Sequence, residues 1–261
     1  MEREDQLNFV VFPNIHLPQE ILVKILSYLS TRDILRRVAL VSRNFYQIAH
    51  DTHLLRRIEF RFDGIQRDWT NYRKEKYFHD FVEMAKKSQK LKFLSINIVA
   101  QEATDNSRYV RPREIFDGLA SSKHQFLEEF HLTNKSFNWF PFFVKNVLGF
   151  LDKCPRLKII KLVRIKLDFK FNNDNAILKE LEKSELKSLE EFHVTFSGTF
   201  ERDSIKSFLE IILKKPKVQR IFLRFLSLRK ESPEVEQICR EFSLKNKVKI
   251  IALYGPSYNE I

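Results

Sequence analysis

Leu127-Glu128-Glu129-Phe130-His131-Leu132-Thr133 returns almost unchanged as Leu189-Glu190-Glu191-Phe192-His193-Val194-Thr195. Both are instances of a looser pattern, apolar-x-x-apolar-x-apolar, that starts at Leu55, Leu91, Leu127, Leu157, Leu189, Val218 and Val248. Successive starts are 36, 36, 30, 32, 29 and 30 residues apart, a period that indicates stacked structural repeats. Within each copy the last two apolar residues alternate as a strand with one buried face does. The pairs are Ile58 and Phe60, Leu94 and Ile96, Phe130 and Leu132, Ile160 and Leu162, Phe192 and Val194, Ile221 and Leu223, and Ile251 and Leu253.

The intervening segments 77–87, 112–125, 141–153, 174–184, 203–214 and 233–244 read as helices. Several open on Pro or Asp, as helix N-termini prefer, and Pro155 and Pro216 close two of them. In 203–214, Ile205, Phe208, Leu209, Ile212 and Leu213 form an apolar stripe at helical spacing. Strand, loop and helix joined by right-handed crossovers predict an α/β solenoid with a curved parallel sheet over 54–261. Leu132, Leu162, Val194 and Leu223 should then lie side by side in one core.

A different pattern precedes the repeats. After a charged tail at 1–14, residues 15–53 hold three short helical stretches. Pro18 suits a first helical turn. Ile21, Leu22, Ile25, Leu26 and Leu29 share one broad face. Ile34, Leu35, Val38 and Val41 follow, and Ser42 is placed to cap a third helix that turns Phe45, Ile48 and Ala49 inward. So small a module cannot bury this much apolar surface within itself.

Leu17-Pro18, Glu20-Ile21-Leu22, Ile25-Leu26, Tyr28-Leu29, Asp33, Leu35, Val38, Val41-Ser42-Arg43 and Phe45 together resemble the F-box motif. Ser42 stands where that family usually has Cys, and Phe45 where it has Trp. The resemblance implies that Leu17, Pro18, Ile21, Leu22, Ile25, Leu26, Leu29, Leu35, Val38, Val41 and Phe45 meet a Skp-type adaptor, which sits on a cullin scaffold. The strand template is in turn similar to that of leucine-rich repeats of the long, helix-bearing kind. It departs at the ninth position, where the family's Asn or Cys bridges neighbouring turns. Here Val99, Lys135, Ile165, Ser197, Leu226 and Pro256 stand instead, so the turns must be held by other means.

The chemistry of enzymes is absent from the sequence. The five glycines are solitary, so no glycine-rich phosphate loop can form. Cys154 and Cys239 are isolated and make neither a disulfide framework nor a metal knuckle. His131 and His193 occupy equivalent positions two strands apart, with Lys161 between them, and read as structural rather than as metal ligands. No metal and no cofactor is expected, and no catalytic residue is assigned. No apolar run approaches the ~18 residues of a spanning helix. The charged start, Met1-Glu2-Arg3-Glu4-Asp5, is unlike a signal peptide. A soluble protein of the cytoplasm or nucleus is expected, with no membrane partner. The net charge of +12 lies almost wholly beyond residue 50 and, along the chain, is mixed with acids throughout. That distribution argues against nucleic acid as the partner.

Together these readings imply the substrate-recognition subunit of a cullin-based, SCF-type ubiquitin ligase. Its F-box would dock on the adaptor and its repeat domain would bind an unknown protein target. The alternatives are a non-catalytic scaffolding protein and a basic nucleic-acid-binding repeat protein. Residues between the core positions should point outward, from Arg57, Glu59 and Arg61 in the first copy to Ile250, Ala252 and Tyr254 in the seventh. On that face Phe222, flanked by Arg220 and Arg224, is the expected target anchor, with His193 and Lys161 beside it.

Overall fold

A computed structural model of the chain describes residues 17–29, 33–34, 37–51, 54–63, 81–88, 90–99, 112–122, 124–134, 140–165, 176–196, 202–226, 228 and 232–255. They belong to two units, Met1–Leu54 and Leu55–Ile261.

In the first unit α1 spans Gln19–Leu26, directly after Pro18, whose extended backbone (φ −51°, ψ 145°) sets the helix start. Asp33 and Ile34 are helical, and Val38–Leu40 make one turn of 3-10 helix. Leu35 lies outside the described residues, so the second expected helix is seen only in these two pieces. α2 spans Arg43–Ala49, and the Ser42 hydroxyl caps it by accepting from the Phe45 N–H at 3.2 Å. Leu26, Ile34, Ala39, Ile48, Ala49 and Leu54 form the core, with Leu22, Val23, Val38 and Phe45 packed against it.

The second unit is one seven-stranded parallel sheet whose strand order follows the chain. The strands are β1 Arg57–Asp63, β2 Phe93–Val99, β3 Glu129–Asn134, β4 Ile159–Ile165, β5 Glu191–Phe196, β6 Arg220–Phe225 and β7 Lys249–Tyr254. The helices between them are α3 (81–87), α4 Pro112–Ala120, α5 Phe140–Leu151, α6 Ala176–Lys183, α7 Arg202–Leu213 and α8 Pro233–Asn246. The architecture is therefore α/β, with N-terminal helices followed by a repeated strand–helix unit. The expected starts of the first and fourth of the intervening helical segments, at 77–80 and 174–175, lie outside the described residues.

Leu132, Leu162, Val194 and Leu223 are register partners on β3 to β6, and all four are buried. One rung earlier Ile58, Leu94, Phe130, Ile160, Phe192 and Ile221 form a second row with no exposed surface. Along α7 the expected stripe faces the core at Ile205, Phe208, Leu209 and Ile212, while Leu213 is half-buried.

The seventh copy breaks the expected register. Ile250, Ala252 and Tyr254 pair with Ile221, Leu223 and Phe225 on the core row, so they do not face outward as the template predicts. Leu253, expected inside, is exposed. The cause lies upstream: α8 runs to Asn246 and ends on Lys247 in a left-handed conformation (φ 55°). This uses up the turn, and the chain enters its strand one residue sooner after Val248 than the other units do. A one-residue slip moves every side chain to the opposite face.

The turns are held at the corner where each helix passes into the next strand. There a tight turn returns an N–H to the carbonyl three residues back, as in Leu91 to Ser88, Leu127 to His124, Leu157 to Cys154 and Leu189 to Leu186. Pro155 and Pro216 sit second in such turns, where their fixed φ is suitable, rather than ending the helices directly. Buried polar groups at these corners satisfy the last helical carbonyls: Ser88 Oγ donates to Met84, and His124 Nε2 lies 3.1 Å from the Leu119 carbonyl. Other bonds cross from one unit to the next. Lys153 Nζ donates to the Ala120 carbonyl, Ser188 Oγ to Pro155, and Lys215 Nζ to Leu181 and Ser184. Asp152 Oδ1 accepts from the backbone N–H groups of Glu185 and Leu186, at 3.0 and 3.3 Å. These corner bonds do the work that the missing ninth-position Asn would do. Asp152→Ala should lower the stability of this unit by roughly 1–3 kcal/mol, since it orphans two N–H donors. Denaturant titration checks it, and an unchanged midpoint would mean that the bonds contribute nothing.

Candidate functional site

Two surfaces concentrate the expected site residues, one on each unit. On α1 the residues sort by helical angle. Leu22, Val23 and Leu26 turn into the module's core, and Leu26 is only 5% exposed. Leu17, Ile21, Ile25 and Leu29, four apart, form a stripe in solvent, with Ile25 50% exposed. Tyr28, Leu40, Val41 and Tyr46 add further exposed apolar side chains, and Pro18 is exposed at the helix start. So the expected adaptor face divides. Leu26 is a core residue, and Leu22, Val38 and Phe45 are half-buried against that core. Leu17, Pro18, Ile21, Ile25, Leu29 and Val41 are presented to solvent. The sequence reading could not separate the two sets, because a face as wide as this one has both an inner and an outer edge.

The second surface is the outward side of the sheet. Here two similar side-chain groups follow from the two Glu-Phe-His copies. In the first, His131 Nε2 lies 2.5 Å from Glu129 Oε1, and Lys161 Nζ lies 3.2 Å from the same oxygen. The His131 ring meets the edge of Phe93 at 4.7 Å between centroids, and the Arg57 guanidinium covers Phe93 at 3.7 Å. In the second group Glu191 bonds His193 closely and pairs with Arg220 at 2.6 Å. His193 stacks on Phe222, with centroids 4.1 Å apart and planes at 15°.

Register places Lys161 directly between His131 and His193. Burial pushes the protonation of both imidazoles down. The adjacent Glu opposes this in each case, and Lys161 adds to it. Burial alone would raise Glu129, but the hydrogen bonds and charges of His131 and Lys161 hold its carboxyl below the usual range. At neutral pH both imidazoles are therefore uncharged, and His131 donates to the Glu129 carboxylate.

Of the five residues expected to hold a target, Lys161, His193, Arg220 and Phe222 are drawn into this network. Arg224 lies one rung on, beside Thr195. Phe93, Glu129 and Glu191 escaped sequence reasoning as partners of the site. The signal for the two acids was the repeated Glu-x-His spacing, which puts both side chains on one face of a strand.

Among the described residues no group of three or more His, Cys, Asp or Glu is arranged to hold a metal ion. Cys154 and Cys239 are buried, and burial pushes both thiols up to about 12, so neither is a thiolate at neutral pH. No helix of the described residues is long and apolar enough to cross a membrane.

Residues 15–61 match the family model described as F-box-like, a stretch that takes in the whole of the helical module after residue 14 and most of β1. No curated protein matches the chain. The exposed α1 stripe, its buried counterpart and the family match coincide, and the chain carries an F-box-like domain at residues 15–61.

Proposed function

We propose that this protein is the non-catalytic target receptor of an SCF-type ubiquitin ligase, working in the cytoplasm or nucleus. The observation that carries the reading is the solvent-exposed stripe Leu17, Ile21, Ile25 and Leu29 within the F-box-like domain. Proteins rarely leave such residues in a row unless a partner covers them. F-box domains bind Skp-type adaptors, and here Leu17, Pro18, Ile21, Ile25, Leu29 and Val41 would make the contact. Leu22, Leu26, Val38 and Phe45 would support it from the core. A cullin scaffold would follow the adaptor and bring a charged transfer enzyme. The chain's own contribution is proximity: holding a target lysine near that enzyme raises its effective concentration.

The target is assigned to the outward face of the sheet, with the His193–Phe222 stack as anchor and Lys161, Arg220 and Arg224 around it. The cations of this network are already matched by glutamates, which suits a protein surface better than a phosphate backbone. The whole reading is tested by purifying the tagged protein from cells and asking whether adaptor and cullin accompany it. Bound proteins should be ubiquitinated when transfer enzyme and ubiquitin are added. Absence of the adaptor would remove the proposal. Phe222→Ala with Arg224→Glu should lose the co-purifying target while keeping the adaptor. If both are retained, the target binds elsewhere.

A further inference from the structure

Folding sorts the positive charge that looks spread out along the chain. Part of it gathers at the corners where helices pass into strands, those of the last two units among them. The segments Lys214–Gln219 and Lys245–Lys249 hold six lysines and no acid. The two segments are neighbours: the Lys249 N–H donates to the Gln219 carbonyl at 2.9 Å, and Arg220 and Lys249 are register partners.

Two of the six lysines are engaged within the fold. Lys215 is buried with its ammonium on the Leu181 and Ser184 carbonyls, and Lys214 pairs with Glu182. Lys217, Lys245, Lys247 and Lys249 are exposed, and none of them forms an ion pair among the described residues. The nearest acid on α8, Glu241, lies one turn back and accepts from Gln237. Leu244 stands among these lysines at the end of α8, 76% exposed. The sheet face contrasts with this corner, since Arg57, Lys161 and Arg220 there each touch a glutamate.

We propose that this basic corner docks an acidic segment of a protein, whose carboxylates meet the four lysines while an apolar side chain covers Leu244. Unmatched charge around one exposed leucine has the form of a polar rim about an apolar contact. The two segments contain no arginine fork for phosphate and no aromatic on which a base could stack. One protruding leucine gives a bilayer little to retain. A carboxylate-rich peptide needs neither fork nor stacking platform. That the segment belongs to the ubiquitination target rests on the receptor reading; that the corner binds it does not.

The test uses the full chain and a fluorescent peptide of glutamate and leucine, followed by anisotropy. Binding should weaken as salt is raised, because exposed charges are screened. Lys217→Glu with Lys247→Glu should weaken it by at least about tenfold, and Leu244→Ser should weaken it without changing the salt dependence. Lys217→Ala with Lys247→Ala serves as a second variant, and both are compared with the parent by thermal melting. Ile25→Asp should bind the peptide normally, so a failure of the adaptor reading and a failure of this one are separable. No binding, or equal binding by the charge variants, would overturn the proposal. So would tighter binding to single-stranded RNA or to phosphatidylserine vesicles than to the peptide.

Discussion

Ile25→Asp should leave the protein folded and unable to hold a Skp-type adaptor. Ile25 is half exposed on α1, so a carboxylate there remains hydrated in the free protein and costs the fold little. In a complex the same carboxylate would sit in an apolar contact without a partner, a penalty of several kcal/mol. At 1.4 kcal/mol per tenfold, affinity should fall by more than about a hundredfold. The next residue is the control. Leu26→Asp puts the charge into the core with Ile34, Ile48 and Ala49, and should unfold the module itself. Circular dichroism separates the two effects, and pull-down on immobilised adaptor reads the binding. An Ile25→Asp protein that still binds would take the adaptor away from this stripe.

The legible part of this fold was the part written in periods. Six of the seven strand copies fall in the register that alternation predicts, because a mixed polar–apolar strand has only one way to bury its apolar set. The seventh runs Ile250-Ile251-Ala252-Leu253, where either alternation buries apolar residues, so the sequence alone leaves the register open. The length of α8 decides it. The corner bonds of Asp152, Lys153 and Lys215 were hidden for another reason: each joins residues 31 to 34 apart through backbone atoms, which carry no sequence signal. At the F-box-like module the apolar pattern located the face. It did not say which residues would be core and which presented, a distinction of helical angle between Leu26 and Ile25.

Leu162→Ala should produce a large loss of stability. Leu162 is 4% exposed and lies between Leu132 and Val194, in the row that runs on to Leu223. Truncation removes its share of apolar burial and leaves a cavity that β4, paired on both sides, cannot readily close. The expected cost is about 2–5 kcal/mol. Each unit of a repeat array is stabilised chiefly by its neighbours, so the damage should spread to β3 and β5 rather than to the distant ends. Val163 is the matched control: it is the next residue, half-buried on the opposite face of the same strand. Val163→Ala should cost well under half as much, because the side chain it shortens is already partly in water. Circular dichroism during denaturant titration reads the loss. Equal costs for the two substitutions would mean that the core row is not where alternation places it, and the parallel stack of strands would have to be redrawn.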